Sequence, residues 1–135
     1  MQPHPLSKHE IQFRVRYQET DAQGRVHHAN YLTYFEMGRV ELLRAAGYSY
    51  RSLEEQGVLL VVAEVNCQYF LPASYDDELR LVTTTLKAKG ARIEHQYELF
   101  RAHELLVRGR SVLACIGSTG RVQRLPDFLL FEIPR

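Results

Sequence analysis

Alternating apolar and polar residues mark several segments of this chain as strands. Residues 11–17 carry an apolar or aromatic side chain at every second position. Residues 92–100 alternate in the same way, which predicts that His95 and Tyr97 lie on an inner face and Glu94 on a solvent face. Further strand candidates are residues 58–70, 79–86 and 104–116, the last with Gly109 predicted to mark a bulge.

The pattern changes to helical spacing after the first strand. Asn30 is the candidate N-cap and Gly47 the candidate stop of a helix predicted over residues 30–46. The positions at helical spacing are Leu32, Phe35, Arg39, Leu42, Leu43 and Ala46. One helix after the first strand, then four antiparallel strands joined by short turns, predicts an α+β fold with a sheet of five or six strands. A chain of 135 residues predicts a single domain, residues 1–135.

The composition of the chain limits which binding partners and which cellular compartment we expect. Seventeen basic and sixteen acidic side chains give a net charge of +1, which argues against a nucleic-acid or membrane-surface partner. No stretch reaches the roughly 20 apolar residues of a membrane span, and residues 1–10 lack the apolar core of a signal peptide. Cys67 and Cys115 show no Cys-x-x-Cys spacing and are predicted to be reduced, buried thiols. We expect a cytoplasmic protein without membrane insertion.

One strand candidate is too apolar to be a free edge. A helix that packs on a single curved sheet leaves sheet edges open, and residues 58–62 form an unbroken apolar run. Pairing of this run with a second copy of the chain would cover it. We therefore expect a homodimer.

The segment between the first strand and the helix carries the most informative chemistry. It places the carboxylate of Asp21 and the turn residue Gly24 just before a helix start. A helix N-terminus offers free backbone N–H groups and a positive dipole end, which can hold an oxyanion. A carboxylate beside such a group suits chemistry on a carbonyl. An Asp in such a turn is also commonly a cap or the centre of an Asx-turn, a purely structural role.

This segment resembles the hotdog-fold acyl-CoA thioesterases of the 4-hydroxybenzoyl-CoA thioesterase type, including the branch associated with the Tol-Pal envelope proteins. The matching positions are Asp21, Gly24, Val26, His28, Asn30 and Tyr31. Residues 71–79 and 120–126 match as well, so the resemblance covers about residues 11–126. It implies a hotdog fold, a curved antiparallel sheet wrapped around one long helix. It also implies thioester hydrolysis without a cofactor, and dimers, or tetramers formed from two dimers, with active sites between subunits.

The resemblance also assigns roles to residues. Asp21 would be the catalytic carboxylate, acting as nucleophile or as general base, two roles that the sequence does not separate. The backbone N–H near His28 would polarise the thioester carbonyl. The neighbouring motif positions are expected to contact substrate: Gly24, Val26, His27, Asn30 and Tyr31. His27 departs from the pattern, which commonly has an aromatic residue there, and this leaves the shape of the acyl pocket open.

Two further clusters of side chains are candidate binding sites. Lys87, Lys89 and Arg92 surround Gly90 in a predicted hairpin turn, where exposed cations could bind the nucleotide phosphates of CoA. The adjacent His27 and His28 suggest a metal site, but consecutive side chains point apart and no third ligand stands at a recognisable interval. The sequence therefore predicts no metal.

Two function classes remain open. The leading hypothesis is an acyl-CoA thioesterase; the alternative is a non-hydrolytic hotdog protein that binds acyl-CoA or acyl-carrier protein. Asp21 favours the first. A hotdog dehydratase is disfavoured because no segment resembles its His-containing active site. Acyl-chain type, the choice of CoA or carrier protein, and dimer or tetramer are not decided by the sequence.

Overall fold

The structure is a computed structural model that describes residues 4–132. Residues 1–3, part of the segment 1–10 that the sequence predicts to lack a signal peptide, lie outside the described residues. Its elements are β1 (Lys8–Arg14), α1 (Asn30–Ala45), α2 (Tyr50–Glu55), β2 (Leu59–Tyr69), β3 (Glu78–Lys89), β4 (Arg92–Arg101), β5 (Glu104–Ile116) and β6 (Phe131–Glu132). All strands pair antiparallel in the order β1-β3-β4-β5-β2, and β6 also pairs with β3. The predicted α+β class and the sheet of five or six strands with one long helix are confirmed.

The first strand lies three residues earlier than predicted. β1 pairs with β3 from Lys8 opposite Thr84 to Arg14 opposite Glu78. The alternation continues past Arg14, but residues 17–19 form a 3-10 turn instead of extended strand. The side chain of Glu19 accepts the backbone N–H of Arg16 at 2.8 Å and so closes this turn. Alternation alone could not reveal that contact.

The predicted short turns hold for only part of the sheet. They join β3 to β4 and β4 to β5, but β2 pairs with β5, at the opposite edge from β1. Residues 70–77 therefore carry the chain across the end of the sheet. The backbone N–H groups of Phe70 and Leu71 both donate to the carbonyl of Leu106 and hold the start of this crossing.

Helix α1 packs on one face of the sheet through Tyr31, Tyr34, Phe35, Gly38, Leu42 and Leu43. Leu32, predicted at helical spacing with this face, is instead exposed. Gly109 is paired in register, so the predicted bulge there is wrong. A Cβ at Gly109 would lie 2.4 Å from Cε2 of Phe35. The absence of a side chain at Gly109 therefore leaves room for Phe35 of α1 to pack on the sheet. The register shifts occur in other places, at Val62/Glu64, Thr85/Lys87 and Leu99/Phe100.

Helix α1 begins at the predicted Asn30 and ends one residue before the predicted Ala46, which is the C-cap. Ala29, not Asn30, takes the N-cap position, and Asn30 is the first helical residue. Gly47, at φ +95°, follows the last turn as predicted. The short helix α2 was not predicted; it begins with a capping box in which Ser49 and Ser52 each accept the other's backbone N–H. No helix in the described chain has the length and apolarity needed to cross a membrane.

Candidate active site

Asp21 lies in a tight turn between β1 and α1. Its backbone N–H donates to the carbonyl of Arg25 at 2.7 Å, and the N–H of Gly24 donates to the Asp21 carbonyl at 3.0 Å. Gly24 has φ +78°, a conformation that favours glycine. The Asp21 Oδ1 atom accepts the N–H groups of Gln23 at 2.8 Å and Arg25 at 3.3 Å. The Asx-turn that the sequence offered as a structural alternative is therefore present.

That turn occupies only one oxygen of the carboxylate. Oδ2 of Asp21 accepts no hydrogen bond from residues 4–132, and Asp21 lines an open cleft together with His28 and Tyr31. The other lining residues are Arg25, Val26, Tyr69, Phe70, Leu71 and Pro72. Asp21 thus combines a fixed oxygen with one that is free for chemistry.

His28 is an exposed residue that also lines this cleft. Its N–H donates to no acceptor within residues 4–132, whereas its carbonyl accepts the hydroxyl of Tyr69 at 2.9 Å. The residue lies two positions before the first helical residue of α1, where the helix dipole is positive. A free N–H in this position can donate to a carbonyl oxygen that gains negative charge.

Val26 and Tyr31 form the buried wall of the cleft. Both contact Ala73: the Val26 N–H donates to its carbonyl at 2.9 Å, and the Tyr31 hydroxyl oxygen accepts its N–H at 3.4 Å. Burial raises the pKa of Tyr31, so its hydroxyl stays protonated. These contacts attach the Asp21 turn to the 70–77 crossing, which supplies the opposite wall.

Glu19 was missed by the sequence prediction. It is only 6 % exposed, and its carboxylate accepts the Tyr34 hydroxyl at 2.9 Å and the Arg16 guanidinium at 2.9 and 3.1 Å. Burial alone would raise the pKa of Glu19, but hydrogen bonds from the backbone and side chain of Arg16 and from Tyr34 hold it below its usual value. A charged residue beside Asp21 gives no pattern from which burial could be foreseen.

The backbone of Glu19 also positions the start of the helix. Its carbonyl accepts the His27 N–H and the Asn30 side-chain amide, both at 2.8 Å. Asn30 therefore ties the helix to the Asp21 loop; it does not cap the helix and does not line the cleft. His27 is exposed outside the cleft, with Nδ1 accepting the Ala29 N–H at 3.2 Å and its ring stacked on His28.

Lys87, Lys89 and Arg92 line a separate surface pocket with Gly90 and Glu94. They surround the β3–β4 hairpin turn as predicted, but at the opposite end of the sheet from Asp21. β3 has 12 residues, so the two ends are roughly 35 Å apart. Within one protomer the structure does not bring this cluster to the Asp21 cleft.

Residues that often bind metals are dispersed in the described part of the chain. Residues 4–132 contain no group of three or more His, Cys, Asp or Glu side chains arranged to hold an ion. Cys67 is half-buried, Cys115 is buried, and both are free thiols. Burial raises the pKa of each thiol.

The sequence profile of the thioesterase-like superfamily matches residues 15–132, the span from the Asp21 loop to the last strand. The chain belongs to this superfamily. The acyl-CoA thioesterase YbgC of Haemophilus influenzae is 38% identical over 76% of this chain and 76% of its own length. A putative esterase of Aquifex aeolicus is 32% identical over 87% of this chain and 91% of its own.

Solved thioesterase structures share the fold. A probable thioesterase from Bartonella henselae aligns with a TM-score of 0.84 and 32% identity, covering 89% of this chain and all of that one. A DHNA-CoA thioesterase from Staphylococcus aureus aligns with a TM-score of 0.84 and 32% identity over 87% of this chain and 80% of its own. The hotdog fold and the predicted thioesterase family are confirmed by these matches.

Proposed function

We propose that this thioesterase-family protein hydrolyses acyl-CoA to a free acid and CoA, with Asp21 as the catalytic carboxylate. The observation that carries the proposal is that one cleft is lined both by Asp21, whose Oδ2 is free, and by His28, whose backbone N–H is free. One supplies the attacking base or nucleophile and the other a donor for the developing oxyanion. Relatives named as acyl-CoA thioesterases support the choice of substrate.

Two routes use the same oxygen. As a general base, Asp21 takes a proton from water while the hydroxide adds to the thioester carbon. As a nucleophile, Oδ2 bonds to that carbon, the C–S bond breaks, and water hydrolyses the mixed anhydride. In both, the His28 N–H stabilises the tetrahedral oxyanion. The thiol of CoA has a pKa near that of free cysteine, about 8.5, so the thiolate leaves without a strong general acid and takes up a proton afterwards.

A second copy of the chain completes the proposed site. β2 is the outer strand of the sheet, and Val61, Val62 and Val65 on it are exposed, Val62 to 50%. We propose a homodimer in which two β2 strands pair antiparallel into one continuous sheet. Pairing of two such dimers into a tetramer is compatible with this edge but is not required by it. A stable monomer in light scattering at micromolar concentration would contradict the dimer.

This dimer gives the basic hairpin a role. Antiparallel pairing brings the hairpin end of one sheet to the same end as the Asp21 loop of the partner. Lys87, Lys89 and Arg92 are exposed and form no ion pair within residues 4–132, so their charges are available. We propose that they bind the nucleotide phosphates of a CoA whose thioester lies at the partner's Asp21.

The protein is proposed to act in the cytoplasm as a single domain over residues 1–135. The free Cys67 and Cys115 are compatible with a reducing compartment.

A panel assay separates hydrolysis from simple binding. Release of free thiol is followed from short-chain, long-chain and aryl acyl-CoAs and from acyl-carrier protein, with Asp21→Asn as the matched control. Hydrolysis of at least one acyl-CoA that the Asn variant loses supports the proposal. Binding of acyl-CoA without thiol release by the wild-type protein would instead establish the non-hydrolytic alternative.

A further inference from the structure

A single hydrogen bond holds His28 among residues 4–132. Its carbonyl accepts the hydroxyl of Tyr69 at 2.9 Å, and no backbone N–H of these residues donates to the same carbonyl. The imidazole of His28 is exposed and stacks on the exposed ring of His27. The residue that offers the proposed oxyanion donor is therefore fixed to another element by one side chain, that of Tyr69.

The two peptide groups on either side of His28 are held in different ways. The first carries the His28 N–H, and its carbonyl, that of His27, accepts the Asn30 N–H at 2.9 Å. The second carries the His28 carbonyl, which Tyr69 binds, and the Ala29 N–H, which donates to the exposed His27 ring at 3.2 Å. Each peptide is planar, so only the two dihedral angles of His28 separate them. Without the Tyr69 hydroxyl, an exposed ring alone would hold the second peptide, and the direction of the His28 N–H could vary.

Tyr69 itself lies on a rigid part of the sheet. It is the last residue of β2 and pairs with the buried Val107 of β5. Its ring meets the buried ring of Tyr31 edge to face, with the centroids 5.3 Å apart. Burial raises the pKa of Tyr69 to about 12, so its hydroxyl is protonated at neutral pH. Burial also raises the pKa of the nearby Cys67 thiol, so no thiolate competes with the His28 carbonyl for this proton.

A direct contact with substrate is the competing role, because Tyr69 lines the Asp21 cleft. The hydroxyl has one proton to donate, and the His28 carbonyl accepts it. This geometry favours a role through His28 over a bond from the hydroxyl to the substrate.

We propose that Tyr69 is a positioning residue for thioester hydrolysis: its hydroxyl anchors the His28 carbonyl and thereby aims the His28 N–H at the oxyanion. The inference rests on the proposed function and adds a residue to its mechanism. The oxyanion forms only on the way through the transition state, so a misaimed donor should lower kcat and leave KM nearly unchanged.

The test removes the hydroxyl and keeps the ring. Tyr69→Phe retains the edge contact with Tyr31 and should lower kcat for the best acyl-CoA of the panel roughly 10-fold, with KM within about two-fold of wild type. Tyr48→Phe is the matched control and should leave both constants unchanged. The half-buried ring of Tyr48 stacks on Phe128 beyond the C-terminal end of α1, and its hydroxyl makes no hydrogen bond in the part of the chain that the structure describes.

A double-mutant cycle with His28→Pro identifies the route of the effect. The proline variant has no N–H to aim, so adding Tyr69→Phe to it should lower kcat by less than about two-fold further. If His28→Pro does not fold, as judged by circular dichroism, the separate effects of Tyr69→Phe on kcat and KM still decide the question.

Three results would overturn the inference: a Tyr69→Phe kcat within about two-fold of wild type, a rise in KM alone, or full additivity with His28→Pro. A rise in KM alone would assign the hydroxyl to direct substrate binding. Hydrolysis that responds to Asp21→Asn and His28→Pro but not to Tyr69→Phe would overturn this inference and leave the proposed function intact. Hydrolysis that does not respond to Asp21→Asn would overturn the proposed function, and this inference with it.

Discussion

The two ends of the sheet hold polar groups in different ways. At the Asp21 end, Oδ1 of Asp21 is fixed by two backbone N–H groups, and buried Glu19 fixes the loop behind it. At the hairpin end, Lys87, Lys89 and Arg92 are exposed cations without ion pairs in the described chain. The first arrangement is preorganised, as chemistry on a carbonyl requires, whereas the second supplies charge without fixed geometry. We therefore expect changes at the first end to alter kcat and changes at the second to alter KM.

The largest effect in this comparison is expected from the backbone of His28. His28→Pro removes the N–H donor, so kcat should fall by roughly 10² to 10³, the cost of losing an oxyanion-hole group. His28→Ala keeps the N–H and should lose far less. Steady-state kinetics on both variants, with circular dichroism to verify folding, measure the difference. Equal losses of kcat in the two variants would show that the imidazole of His28, and not its backbone N–H, is the group that contributes to catalysis.

A smaller effect is expected at Glu19. Glu19→Gln weakens the contacts to Arg16 and Tyr34, and should cost about 1–3 kcal/mol of unfolding free energy and lower kcat roughly 10-fold. Urea unfolding and kinetics measure the two. Glu78→Gln is the matched control, because Glu78 and its partner Arg14 are both about 60% exposed, and it should change stability by less than about 0.5 kcal/mol.

The Glu19 effect should also depend on pH. Its pKa is lowered in the folded protein, so its contribution is present above the unfolded pKa, near 4.5, and is lost as pH falls through the folded value. The stability difference between wild type and Glu19→Gln should therefore be constant near pH 7 and shrink below about pH 4.5. A difference that grows on acidification would show that the carboxylate is not the stabilising form.

The smallest effect is expected at the hairpin end. Replacing Lys87, Lys89 and Arg92 together by Ala should raise the apparent KM for acyl-CoA several-fold, and more at low salt, because the charges are exposed. Turnover of a truncated pantetheine thioester should hardly change. Arg51→Ala, at an exposed arginine of α2, is the control. Equal losses on both substrates would show that the cluster is not a nucleotide site.

Local sequence patterns predicted most of the secondary-structure elements of the fold. The alternation in residues 92–100 placed His95 and Tyr97 on the buried face, and the glycine at position 47 ended the helix as expected. The strand order was not accessible, because β2 pairs with β5 through contacts that local periodicity does not report. The role of Gly109 was not predictable for the same reason, because the glycine is needed for close packing against Phe35, which lies on α1 and is distant in sequence.

In the candidate site, too, features set by adjacent residues were predictable, whereas features set by tertiary contacts were not. The motif from Asp21 to Tyr31 located the cleft, because its residues are adjacent in sequence and share one loop. The burial of Glu19 and the position of Asn30 on the Glu19 carbonyl depend on how that loop folds back. The distance between Asp21 and the basic hairpin depends on the whole length of the sheet, which local sequence does not report. In our proposal a second copy of the chain bridges this distance.

The most direct test of the account is the kcat of Asp21→Asn on the best acyl-CoA of the panel. The substitution keeps the size of the side chain and an oxygen to accept the turn hydrogen bonds, but removes the charge that attacks carbon or activates water. The account predicts a fall in kcat of roughly 10² or more, with a non-hydrolysable thioether analogue still bound at near wild-type affinity. An Asp21→Asn protein that turns over within a few-fold of wild type would contradict it.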